Sequence, residues 1–155
     1  MKSVEIIILE TEEDYKEKYR EYYLKEALQF SDIPIIFGEA TFEHIFSEKA
    51  GDGKRVFSKR RAKRMLFMKA ILSGEFNVDI MYELEDGKDI GNCALFCTDL
   101  ECVMYLRLIQ GKGMQVLTFF DFGKDHDKMC RKQKNKCVPI ALAEIKQKIT
   151  LSGEG

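Results

Sequence analysis

The stretches 76-FNVDIMYEL-84, 93-CALFCT-98, 102-CVMYLRLI-109 and 114-MQVLTFFDF-122 decide the fold class. All four are rich in β-branched and aromatic residues, the composition of strands in a packed sheet. They are separated by Asp86-Gly87, Asp99-Leu100-Glu101 and Gly111-Lys112-Gly113. Links this short cannot hold a crossover helix, so the predicted arrangement is an antiparallel four-stranded meander.

Upstream, Val4 to Leu9 (VEIIIL) reads as a first strand. Thr11-Glu12-Glu13-Asp14 resembles a capping box. The following DYKEKYREYYLKEALQF places Tyr15, Tyr19, Tyr22, Tyr23 and Ala27 at the spacing of one helix face. Ser31 to Pro34 breaks that helix, and Ile35 to Phe37 reads as a short strand. Thr41 is placed to cap a short second helix, TFEHIFSEK, and Ala50 to Lys54 is a flexible loop. Ser58 opens a third helix, SKRRAKRMLFMKAILSGE, closed by Gly74. Its stripe of Met65, Met68 and Leu72, with Phe67 and Ile71 alongside, predicts a buried face. After the sheet come a basic stretch of loop and short helix, then Pro139, then the amphipathic IALAEIKQKI, with 150–155 expected to fray. The predicted fold is α+β in a single domain, residues 1–155. An N-terminal strand and helices pack on the four-stranded antiparallel sheet, with a C-terminal helix.

A hydrophobic fraction of 45% beside 33% charged residues argues against disorder. No apolar run approaches the roughly 18 residues of a membrane span. The N-terminal MKSVEIIILETEEDY lacks a small-residue cleavage site, so the expected compartment is the cytoplasm. Cys93, Cys97, Cys102, Cys130 and Cys137 contain no C-x-x-C pair. They read as buried, reduced thiols, although His126, Cys130 and Cys137 have ligand-like spacing. No metal or other cofactor is expected.

The net charge of −1 conceals a split. Residues 1–53 hold 13 acids and 6 bases, and residues 54–155 hold 13 acids and 19 bases. Lys54 to Lys69 contains eight bases and no acid. Bases in the first turns of a helix oppose its dipole, so their presence there invites an external anion. Lys59, Arg60 and Lys63, with Arg61 and Arg64, are candidate phosphate contacts. The alternative is a solvated face paired with the acidic first helix. Lys124, Lys128, Arg131, Lys132, Lys134 and Lys136 form a second basic segment, of which Lys128, Arg131 and Lys132 are the candidate nucleic-acid contacts. His44, just before the flexible loop, has the side chain suited to proton transfer near neutral pH. Tyr105 and Arg107 share a strand face, and a mid-strand arginine needs a partner or an anion. Gln115 and Thr118 lie on opposite faces unless a bulge intervenes.

The series FEHIF, a loop, VFSKRRAKRMLFMKAIL, a meander ending in MQVLTFFDF, and a basic tail resembles the phage-borne branch of the barnase–EndoU–colicin–RelE (BECR) nucleases. The resemblance covers about residues 35–135 and leaves residues 1–34 as an N-terminal strand-helix addition. Phe67-Met68 stands where such proteins often carry Trp-Ile. The resemblance implies a metal-independent ribonuclease in which an RNA 2′-hydroxyl attacks the adjacent phosphate. It assigns His44 as base or acid, Arg61, Arg64 and Arg107 as the phosphate clamp, and Thr118 or Tyr105 as an auxiliary donor. The implied partners are RNA and, for a toxin or mobile-element effector, an antitoxin or immunity protein. A non-catalytic nucleic-acid-binding or protein-interaction module using the same basic patches is the competing expectation.

Overall fold

A computed structural model describes residues 3–154. The first helix, α1 (Glu12–Tyr19), opens on the expected capping box: the Thr11 hydroxyl accepts from the Asp14 N–H, and the Asp14 carboxylate accepts from the Thr11 N–H. A π-helical turn, Arg20–Leu24, continues it. Then come β1 (Leu28–Phe30), β2 (Ile33–Ile36), α2 (Thr41–Ile45), β3 (Ser47–Lys49), β4 (Arg55–Phe57), α3 (Lys59–Ala62) and α4 (Leu66–Ser73). The meander is β5 (Asp79–Glu85), β6 (Lys88–Cys97), β7 (Cys102–Ile109) and β8 (Gly113–Asp121). The chain closes with α5 (His126–Lys134), β9 (Cys137–Pro139) and α6 (Leu142–Glu154). Of the tail expected to fray, residue 155 lies outside the described residues.

The fold is α+β, but the sheet is not the expected four-stranded antiparallel one. It has seven strands in the order β1-β2-β8-β7-β6-β5-β9, and β2 runs parallel to β8; β3 and β4 form a separate hairpin. The meander is present as read. Three short strands extend its edges: β2 overlaps the short strand expected at Ile35 to Phe37, whereas β1 and β9 have sequence signals too brief to register. Leu28 to Phe30 had been assigned to the first helix. The π turn ends that helix, and Ser31 and Asp32 adopt φ of 47° and 72°, closing a two-residue hairpin that buries Phe30 and Ile33.

Val4 to Leu9 does not join the sheet. The Ile7 N–H donates to the Lys63 carbonyl at 2.9 Å, and the Tyr15 hydroxyl donates to the Ile7 carbonyl and accepts from the Leu9 N–H. These bonds take the place of a ladder. The second helix is also shorter than expected. It stops at Ile45 because Ser47 to Lys49 pair with Arg55 to Phe57 across the Ala50–Lys54 loop.

The third helix divides at residues 63–65. Arg64, Met65 and Phe67 donate to carbonyls three residues back, which tightens the chain between α3 and α4. The buried Tyr23 hydroxyl donates to the Met65 carbonyl and accepts from the Lys69 N–H at 3.1 Å, satisfying groups that the break leaves over. The break keeps Ala62, Met65 and Met68 all buried. Ser58 caps α3 and Gly74 ends α4 with φ of 85°, as the sequence reading expects.

Two cores lie on either side of the sheet. On the near face, Tyr15, Tyr19, Tyr23, Phe42, Ile45, Met68, Ile71 and Ile145 pack on Leu95, Met104, Leu106 and Phe119. On the far face, Ala94, Phe96, Val103, Tyr105 and Phe122 meet Met129 and Cys130 of α5. All helices but α5 contribute buried residues to the near-face core. Gly113 permits the parallel β2–β8 pairing, because a Cβ there would lie 2.2 Å from the Pro34 carbonyl oxygen.

Candidate nucleic-acid interface

The first basic segment reaches the C-terminal end of β8, a few residues before the second segment begins. Arg60 donates to both carboxylate oxygens of Asp121, at 3.0 and 3.1 Å, and its second terminal nitrogen lies 3.5 Å from Glu48. Asp121 is the last residue of β8, and Lys124 follows three residues later. The start of α3 therefore lies beside the approach to α5.

Around this junction the basic residues divide into two kinds. Arg60, Arg61 and Lys69 are committed to the internal carboxylates of Glu48, Asp121 and Glu26. The Ser58 hydroxyl donates to Glu48, and that bond, with Arg60 and Arg61 close by, holds the Glu48 carboxyl below its ordinary range. Burial pulls the Arg61 guanidinium below its ordinary value despite the attraction of Glu48, and its Nε has no hydrogen-bond partner. Arg64 turns back to donate to the Arg60 carbonyl at 2.8 Å. In contrast, Lys59, Lys63, Lys124, Lys128, Arg131 and Lys132 make no ion pair among the described residues. Their exposed charges point to solvent (Lys63 is half-buried) and remain open to an anion. The acidic helix α1 pairs instead within itself and with Glu39 and Glu43. It does not cover α3.

Along α5, His126 Nε2 lies 3.1 Å from the Glu101 carboxylate, beside a cleft of about 240 Å³ lined by Thr98, Phe122, Cys130, Arg131 and Lys134. His126 entered the sequence reading only through its spacing to Cys130 and Cys137, and Glu101 only as part of a turn. The doublet Asp125-His126 gave no periodic signal, and Glu101 belongs to a turn. The far end of α5 is fixed where the Tyr105 hydroxyl donates to Gln133 at 2.7 Å. Burial pushes the Tyr105 phenol well above its ordinary value, so it acts as a donor and not as a base.

The residues assigned as catalytic fall into two groups. His44 lies exposed on α2, on the near face, in a cleft of about 410 Å³ with Glu12, Glu43, Ser47, Arg55 and Phe57. Arg55 spans this cleft's floor, donating to the Ser47 hydroxyl at 2.8 Å and to the Ser47 carbonyl. Arg61 and Arg64 belong to the same side. Arg107 and Thr118 belong to the other. Leu106 and Leu108 pack in the near-face core, so Arg107 projects from the far face with Tyr105. Thr118 is opposite Tyr105, and the register shift at Leu117 places Gln115 and Thr118 on the same far face. His44 therefore does not converge with Arg107 and Thr118, because the sheet separates them.

No protein-family model, curated protein or solved structure matches this chain. Among the described residues no three His, Cys, Asp or Glu side chains are grouped to hold a metal, and no helix is long and apolar enough to cross a membrane. Burial pushes the Cys93 thiol up to about 12 and that of Cys137 up to about 11, which removes them as nucleophiles at neutral pH.

Proposed function

We propose that this protein binds RNA along a basic surface running from α3, past the end of β8, onto α5. The observation that carries the reading is the Arg60–Asp121 ion pair, which sets the start of α3 beside the end of β8, from which the chain runs into α5. Sugar–phosphate backbones are held by such arrays through release of condensed counterions.

The test is anisotropy of fluorescein-labelled single-stranded RNA in EDTA. Paired substitutions Lys59→Glu with Lys63→Glu, and Lys128→Glu with Lys132→Glu, are each expected to weaken binding at least about tenfold. Unchanged affinity in both variants would refute the surface.

A second reading is cleavage of the bound RNA without a metal. It draws on the BECR resemblance and on the shared far face of Tyr105, Arg107 and Thr118. A guanidinium there would stabilise charge gathering on an attacked phosphate. On this reading an antitoxin or immunity protein is an expected partner. Denaturing gels of the same EDTA samples separate the cases. Cleavage lost in Arg107→Ala but kept in His44→Ala assigns the far face. The reverse assigns the His44 cleft, and intact RNA refutes cleavage.

A further inference from the structure

Beyond the end of α5, the far face of the sheet carries a polar row that the basic surface does not include. In the strand register Asn92 of β6 lies opposite Arg107 of β7, and Arg107 lies opposite Gln115 of β8. All three project from the far face, because Cys93, Leu106, Met114 and Val116 beside them are buried in the near-face core. Glu83 of β5 extends the row by accepting from the Asn92 Nδ2 at 3.2 Å. Polar residues in register on four adjacent strands contribute to neither core, since none of them belongs to the near-face or the far-face cluster.

Two features of this row ask for a ligand. A carboxylate only accepts, so the bond to Glu83 fixes the Asn92 amide with its Nδ2 toward β5. Its Oδ1 is buried and has no donor. A buried acceptor left without a donor is costly, so a ligand that displaces the side chains covering it and brings a donor is favoured. Beside it, Arg107 is exposed and makes no ion pair among the described residues. The ligand that completes the row presents a hydrogen-bond donor next to an anionic oxygen.

In RNA the ribose 2′-hydroxyl is a donor adjacent to the 3′-phosphate, and DNA lacks it. We infer that Asn92, Arg107 and Gln115 form a ribose–phosphate subsite that makes this protein select RNA over DNA. The 2′-hydroxyl donates to Asn92 Oδ1, and the phosphate accepts from Arg107 and from the Gln115 amide. This inference rests on the RNA-binding reading, and the row is reached from α5 at Tyr105, which shares a face with Arg107 and is bonded to Gln133.

The test compares fluorescein-labelled RNA, DNA of the same sequence, and 2′-O-methyl RNA, all in EDTA. The intact protein is expected to bind RNA about tenfold more tightly than either analogue, the strength of one hydrogen bond within a charged site. Asn92→Ala is expected to bring RNA down to the DNA level and leave DNA unchanged. Arg107→Ala, at an exposed position that folding does not depend on, is expected to weaken RNA and DNA alike by a similar factor. Equal binding of the three polymers, or an unchanged RNA affinity in Arg107→Ala, would overturn the subsite while leaving the α3–α5 surface standing. Absence of binding to all three would overturn the RNA reading and this inference together.

Discussion

Replacing Asp121 by Asn removes the carboxylate at the junction of the two basic segments with almost no change of shape. In the folded protein that carboxylate occupies Arg60 at 3.0 and 3.1 Å, and the Asp121 side chain is 14% exposed against 47% for Arg60. A pair this open to solvent contributes about 0.5–1 kcal/mol, so the variant should fold and melt slightly earlier. The larger effect is on binding, because Arg60 is released to contact a phosphate. The six unpaired bases, if each neutralises a phosphate of single-stranded RNA, give a slope of log K against log salt of about −4. The seventh contact steepens it to about −5. Between about 50 and 200 mM KCl the variant then loses about threefold more affinity than the parent, while binding more tightly at the low-salt end. Anisotropy titrations over a KCl series measure both quantities. An identical slope in the two proteins would refute the placement of RNA across this junction, as would weaker binding by the variant at low salt.

Other perturbations test the framework that positions the surface. Gly113→Ala places a Cβ against the Pro34 carbonyl at a φ of 136° and should cost about 3 kcal/mol, read as a lowered melting temperature. Equal stability would mean that β2 and β8 are not paired as described. Tyr23→Phe leaves the Met65 carbonyl and the Lys69 N–H without their shared hydroxyl and should cost about 1–3 kcal/mol in urea unfolding, with an unchanged m-value. The Glu48 carboxyl is held below its ordinary 4.5, chiefly by Ser58, so its stabilisation is present above that value and fades as pH falls through the folded value. Glu48→Gln should therefore be less stable than the parent near neutrality and approach it in acid. A constant difference across pH would contradict the assignment.

The sheet was legible where strands were long and their links short. The β5–β8 meander followed from composition and turns, and Asp86-Gly87 closes its first hairpin with φ of 53° and 75°. The edges were not legible, because β1 and β9 have three residues each and stand beside stronger local signals. VEIIIL shows the opposite case. Its β propensity is high, yet Tyr15 and Lys63 hold its backbone away from the sheet, a tertiary effect that propensity cannot contain. At the site, sequence located both basic segments and the mid-strand Arg107. It could not foresee that Glu48 and Asp121 neutralise Arg60 and Arg61, nor that a bulge at Leu117 turns Thr118 to the far face. Those depend on which residues become neighbours only when β8 is laid beside α3.

The claim that the two basic segments form one RNA surface is tested most directly by photocrosslinking to 4-thiouridine RNA, with the attachment sites mapped by mass spectrometry. The account predicts attachment to peptides from both α3 and α5, competed by salt and by unlabelled RNA. Attachment confined to the acidic helix α1, or to one basic segment with the other untouched, would contradict it.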